Sequence, residues 1–434
     1  MNYCSTNNKG VSSTFREAVI KGIADDGGLF IPSFIPKLPT LFFDSIEKYS
    51  LQEIALEVAK NFIENEIPNN EIKRIVDKSI SFDSPLFKIS ENISILELFY
   101  GPTLAFKDFG ARFMANVLSY LVNDENQQVT ILVATSGDTG SAVANGFYRV
   151  EGINVIILYP SKKISEIQEK QLTTFGENIT ALEIDGTFDD CQRLVKTAFV
   201  DKDITREMKL SSANSINIAR LIPQTFYYFK SFADLKYKKR KIVFSVPSGN
   251  LGNLTAGLIA KKMGLPVHKF IAASNINDIF PKYLNSSNFE PKTSIKTISN
   301  AMDVGNPSNF ARIISLYNND YQKIHKEIYG DSFTDEETIL SIQELYSKNK
   351  YIIDPHGAIG YLALLNYLKL SIDKDIDGVV LETAHPSKFY DVVNSAININ
   401  IEIPESVKMI MQKEKKSIPI SSNYSEFKEL LLRK

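Results

Sequence analysis

A chain of 434 residues is too long for one ordinary hydrophobic core, so two or three packed domains are expected. Apolar residues make up 44% and charged residues 23%, the ordinary balance of a globular protein. The 49 Lys and Arg against 51 Asp and Glu leave a net charge of −2. That removes any general electrostatic drive toward nucleic acid or an anionic membrane, while leaving room for a local anion site.

The first stretch, Met1 to Ser13, is polar and lacks the apolar core of a signal peptide. No segment approaches the ~20 apolar residues needed to span a bilayer, so a soluble, cytoplasmic protein is expected. Cys4 and Cys191 lie far apart and match no metal-ligand spacing, which favours two free thiols and no metal centre.

The first 85 or so residues read as mainly helical. Leu51, Ile54, Ala55, Val58 and Ala59 recur at helical spacing, and Ile72, Ile75 and Val76 repeat the pattern. From about Ile93 the character changes to short apolar strands alternating with helices. Val129 to Ala134, Val155 to Leu158, Ile242 to Val246 and Gly378 to Leu381 are continuous apolar runs, suited to a parallel sheet buried on both faces. The alternation indicates an α/β architecture. The Lys-rich stretch 236–241 reads as an exposed turn before a strand, and the tail from Ile401 as a solvated helix with an edge element.

Three segments carry chemistry. Leu96 to Arg112 contains Gly101-Pro102, which breaks a strand, followed by Phe106, Phe109, Phe113, Val117 and Leu121 at helical spacing. Lys107 falls at the first turn of that helix, where the dipole and apolar neighbours both favour a neutral amine able to condense with an aldehyde. A lysine that lays its stem on the surface is the plainer reading of this spacing alone.

The turns Thr135-Ser136-Gly137-Asp138-Thr139-Gly140-Ser141 and Pro247-Ser248-Gly249-Asn250-Leu251-Gly252-Asn253 each follow a strand directly. Glycines there let a ligand approach the backbone, and the first amides of the next helix favour an anion. Neither turn carries the P-loop ending or the dinucleotide spacing, so a phosphate other than that of ATP or NAD is indicated.

The sequence resembles threonine synthases. The similar segments are Asp26-Gly-Gly-Leu-Phe, Gly101-Pro-Thr-Leu-Ala-Phe-Lys-Asp-Phe-Gly, Ala134-Thr-Ser-Gly-Asp-Thr-Gly, Asn214-Ser-Ile-Asn217, Val246-Pro-Ser-Gly-Asn-Leu-Gly-Asn, Asn300-Ala-Met-Asp-Val and Glu382-Thr-Ala-His-Pro, in family order. The pattern is similar to the shorter microbial and fungal branch. The resemblance implies a fold-type II pyridoxal-phosphate enzyme, related to the tryptophan synthase β chain. It implies two α/β domains with the cofactor in the cleft, plus a mainly helical N-terminal segment. The expected division is 1–90 for that segment, 91–230 for the lysine-bearing part with a smaller mobile domain, 231–400 for a larger cofactor-binding domain, and 401–434 for a tail.

By the same resemblance Lys107 holds pyridoxal 5'-phosphate through a Schiff base and acts as the mobile acid and base. Ser248, Gly249, Asn250, Leu251, Gly252 and Asn253 would cradle the cofactor phosphate, Thr383 would meet the pyridine nitrogen, and Asp138 would lie near the ring oxygen. Thr135, Ser136 and Thr139 would take the substrate carboxylate. Asn214, Asn217 and Arg220 are candidates for the substrate phosphate, with Arg112 and Lys162 behind them. His356 and His385 read equally well as capping or turn residues.

The implied reaction takes O-phospho-L-homoserine and water to L-threonine and phosphate, the last step of threonine biosynthesis, in a monomer or homodimer. The alternatives are a related phospho-lyase releasing 2-oxobutyrate and ammonia, and a cofactor-binding homologue without turnover.

Overall fold

The computed structural model describes residues 1–123 and 128–433. Its N-terminal part is built on helices Phe15–Lys21, Leu51–Ile63 and Asn69–Ser79. Thr14 and Ser50 open the first two with capping boxes closed by Glu17 and Glu53, each worth about 1 kcal/mol to its helix. The helical stripes are buried as their spacing demands. The polar start departs from the sequence expectation. Strand β1 (Tyr3–Ser5) pairs antiparallel with β2 (Phe30–Pro32), and the Tyr3 hydroxyl donates to the Phe62 carbonyl at 3.0 Å. Strands of three residues are too short for alternation to register in a sequence.

Two larger sheets follow. The first has six strands: β3 (Leu86–Lys88), β4 (Ile93–Glu97), β9 (Lys241–Pro247), β10 (Val267–Ser274), β11 (Ile328–Ser332) and β12 (Ile376–Glu382). Their spatial order is β11-β10-β9-β12-β4-β3, all parallel except the edge strand β3. The second has five parallel strands: β5 (Val129–Ala134), β6 (Ile153–Pro160), β7 (Ile179–Asp185), β8 (Lys209–Ser212) and β13 (Ser417–Ser421), in the order β13-β7-β6-β5-β8. Every residue of β4, β5 and β12 is buried, as apolar runs covered on both faces require.

The sheets are discontinuous in sequence. Residues 91–230 supply β4 to the larger sheet and β5 to β8 to the smaller, while the tail returns to the smaller sheet as edge strand β13. The segment after β4 stays on the larger sheet because it is zipped along the chain leaving β12. Leu98 N donates to Glu382 O, Phe106 N to Thr383 O, and His385 N to Leu104 O. Both cysteines are free and buried. No helix among the described residues is long and apolar enough to cross a membrane, and no metal-ligating cluster occurs among them.

Candidate functional site

Strands β9, β12 and β4 are neighbours, so three of the recognised segments leave the same edge of the larger sheet side by side. Ser248–Asn253 follows β9, Thr383 follows β12, and the chain from β4 leads through Gly101-Pro102 to Lys107. Lys107 is the first residue of helix Lys107–Asn123, whose Phe109, Phe113, Val117 and Leu121 are fully buried. From the smaller sheet, the turn after β5 starts helix Asp138–Phe147 at Asp138. The Lys107 ammonium nitrogen lies 3.7 Å from Asp138 Oδ2, which brings the carboxyl ends of the two sheets face to face.

The electrostatics of this meeting point centre on one carboxylate and two lysines. Lys388, from the 3-10 turn Pro386–Phe389, is buried, and its Nζ contacts Asp138 Oδ1 at 2.8 Å and donates to Thr103 O at 2.8 Å. Gln168 Nε2 donates to Asp138 Oδ1 at 3.0 Å. Burial alone would raise the Asp138 carboxyl, but the Lys388 and Lys107 charges hold it well below the usual carboxylate range. Burial lowers the Lys107 amine; Asp138 opposes that shift, while Lys388 and Arg220 add to it. Lys388 was not found from the sequence. A lysine three residues beyond His385 carries no local signature, and only the folded chain sets it against Asp138.

The turn after β9 presents a run of unused donors. Ser248 spends its amide on Ala273 O at 2.8 Å and its hydroxyl on Val246 O at 2.8 Å, so it anchors the turn. The amides of Gly249, Asn250, Leu251, Gly252 and Asn253 donate to no group among the described residues. Their side chains shape the loop: Asn250 Nδ2 donates to Ser215 Oγ, and Asn253 Nδ2 to Pro247 O. Leu251 takes the left-handed conformation at φ 59° immediately before helix Gly252–Lys262 begins. A Cβ on Gly249 would stand 2.7 Å from Ala301 O, so the chain itself demands that glycine. A Cβ on Gly252 would meet nothing nearer than 3.6 Å. The packing leaves room there.

The turn after β5 is organised differently from its sequence reading. Thr135 is buried, and its hydroxyl accepts from Gly137 N at 3.0 Å and Gly140 N at 2.8 Å while donating to Gly137 O. It folds the loop and is not free to hold a ligand. Ser136 and Thr139 are half-buried, and their amides with that of Asp138 have no acceptor among the described residues. Asn217 is likewise spent: its Nδ2 donates to Val19 O and Ser212 O, and its Oδ1 caps Ala219 N. Of the three residues assigned to a substrate phosphate, Asn214 and Arg220 keep unused atoms. Asn214 Oδ1 and Arg220 Nε are buried without a partner, although the Arg220 Nη1 donates to Ala213 O. Burial pushes the Arg220 guanidinium down to about 10.

Of the reserve cations, Arg112 is occupied elsewhere. It donates to Ser79 O, Lys78 O and Ser81 Oγ, capping the end of helix Asn69–Ser79. Lys162 is exposed. His385 accepts from Ser387 N and caps its turn, with burial holding the ring down to about 4. His356 is buried between Asp354 and the Ala301 amide, which donates to its Nε2 at 3.2 Å.

The chain is similar to known proteins over nearly its whole length. The family described as pyridoxal-phosphate dependent enzymes matches residues 85–381, that of the threonine synthase N terminus residues 2–80, and that of the threonine synthase C-terminal region residues 357–431. A threonine synthase of Haemophilus influenzae is 44% identical over 421 residues, 97% of each chain. The crystal structure of threonine synthase from Escherichia coli superposes with a TM-score of 0.92 at 39% identity, covering 100% of both chains. The structure of a PLP-bound threonine synthase from Brucella melitensis superposes at 0.94 with 33% identity, covering 100% of this chain and 99% of that one. With three family models covering nearly all of it and relatives alike over its full length, the chain belongs to the threonine synthase family of pyridoxal-phosphate dependent enzymes.

Proposed function

We propose that this site converts O-phospho-L-homoserine and water to L-threonine and inorganic phosphate. The observation that carries the reading is the convergence of a half-buried lysine, a threonine hydroxyl and five unused amides beyond the ends of three adjacent strands. The residues fit pyridoxal 5'-phosphate. Amides 249–253 suit its phosphate, the room beside Gly252 suits a close approach, and the Thr383 hydroxyl suits a pyridine nitrogen because it both donates and accepts. When bound, the cofactor supplies an electron sink for charge developing on the substrate carbon beside the amine.

The chain's own residues divide the remaining work. Lys107, its amine lowered by burial, takes the proton from Cα and returns it. Asp138, held ionised by Lys388, stabilises Lys107 while it carries that proton. The hydroxyls and amides of Ser136 and Thr139 receive the substrate carboxylate. Arg220 holds the substrate phosphate, and Asn217 positions Asn214 and Arg220, its amide donating to Asn214 O and its carbonyl accepting from Arg220 N. The bond between Cγ and the phosphate oxygen breaks. One hydrogen leaves Cβ and one arrives at Cγ, and water supplies the hydroxyl that ends on Cβ. Closing the two sheets against bulk water prevents early hydrolysis to a 2-oxo acid. Incubation of the purified protein with O-phospho-L-homoserine tests the reading: threonine and phosphate are expected in equal amounts, and 2-oxobutyrate with ammonia as the main products would overturn it.

A further inference from the structure

Arg312 is fully buried, on helix Phe310–Leu316, and no carboxylate lies within ion-pair distance of it among the described residues. All its acceptors are neutral oxygens. Nε donates to Phe30 O at 3.0 Å, Nη1 to Ser215 O at 3.2 Å and to Asn309 Oδ1 at 2.7 Å, and Nη2 to Ile216 O. Burial is the only influence that moves the guanidinium, down to about 9, which still leaves it charged at neutral pH. An isolated buried charge is expensive unless something of opposite sign completes it.

The hydrogen bonds show where that charge is directed. Asn309, which accepts from Arg312, donates through Nδ2 to the carbonyl of Asn250 at 3.0 Å. That carbonyl belongs to the peptide whose other end is the Leu251 N–H, one of the five unused donors. Asn250 Nδ2 in turn donates to Ser215 Oγ at 2.6 Å, and Arg312 holds the Ser215 carbonyl, so the ring closes on itself. Each bond in such a chain polarises the next, so positive charge at Arg312 strengthens the Leu251 N–H as a donor. The ring also braces Leu251 in its left-handed conformation, which costs a non-glycine residue about 1 kcal/mol.

We propose that Arg312 is the fixed counter-charge of the phosphate cradle, acting through Asn309 and the Asn250–Leu251 peptide without touching the anion. It is a positioning residue, and the proposal rests on the cofactor phosphate lying at residues 249–253. The test compares binding of pyridoxal 5'-phosphate and of pyridoxal, which lacks the phosphate, to the apo-protein. Arg312→Gln should weaken the phosphorylated ligand relative to the other by roughly 10- to 100-fold, while Arg312→Lys should keep the wild-type ratio within a few fold. Equal losses for both ligands, or a Lys variant as impaired as the Gln variant, would overturn it. If Arg312→Gln does not fold, the Lys variant and the phosphorus NMR signal of wild-type holoprotein decide. A bound phosphate that stays dianionic as pH falls through the free ester's titration supports the proposal, and one that titrates normally sinks it. Wild-type protein that binds both ligands equally would instead remove the assigned cradle, a separate failure.

Discussion

Lys107 is unusual as a residue before any ligand arrives, because burial and Lys388 both disfavour its charge. An amine with a lowered pKa becomes neutral, and so reactive, at a lower pH than an ordinary lysine. The rate at which apo-protein captures pyridoxal 5'-phosphate should therefore reach half its maximum below pH 10.5, the ordinary lysine value. Lys388→Met removes one lowering influence, so stopped-flow measurements should find that midpoint moved upward. A midpoint unmoved or lowered would show that Lys388 does not act on Lys107. Borohydride reduction of the holoprotein followed by peptide mapping should label Lys107, and labelling at another lysine would reassign the site. Lys107 stood out in the sequence through the resemblance of its short motif to the threonine synthase family, since its spacing alone read as a surface lysine. Lys388 did not, because its meaning depends on a carboxylate 250 positions away in the chain, at Asp138.

At the scale of the element, the two glycines of the β9 turn serve different needs and should respond differently. Gly249→Ala drives a methyl against the Ala301 carbonyl at 2.7 Å and the Met302 Cα at 2.9 Å, both backbone, so it should destabilise the apo-protein by roughly 1–3 kcal/mol. Gly252→Ala meets only ordinary contacts at the first position of its helix. There it should leave apo-protein stability unchanged or raise it by up to about 1 kcal/mol, yet weaken cofactor retention on dialysis. Thermal unfolding of both apo-variants beside cofactor absorbance separates the two. If Gly252→Ala keeps the cofactor as tightly as wild type, the ligand does not approach that position. The turns read as candidate anion sites from Gly, Ser and Asn at strand ends. Which hydroxyls and amides remain unused was not readable, since Thr135 and Asn217 have the right chemistry and are spent on the fold.

For the whole molecule, the C-terminal tail is a structural part of the smaller sheet. Strand β13 pairs with β7, and helix Tyr424–Leu432 buries Phe427 and Leu431 against Leu194, Val195 and their neighbours. Removing residues 413–434 strips Ile420, Phe427 and Leu431 from that core, each worth about 1.5–3 kcal/mol when buried. The truncated chain should unfold at markedly lower temperature or aggregate through the uncovered edge of β7. Wild-type-like melting would mean the tail is only an appendage.

What the sequence determined by itself was whatever depends on neighbours along the chain. Apolar runs marked β5, β6, β9 and β12, helical spacing marked the N-terminal helices and the helix after Lys107, and glycine turns marked the candidate anion sites. Tertiary structure decided what depends on pairs distant in sequence. It placed β9, β12 and β4 side by side, returned the tail to the smaller sheet, set Lys388 against Asp138, and linked the buried Arg312 through Asn309 to the turn after β9. The physical reason is the range of the forces. Backbone propensity and periodic burial act over a few residues, whereas the energy of a buried charge is set by whichever groups the folded chain brings within a few ångströms.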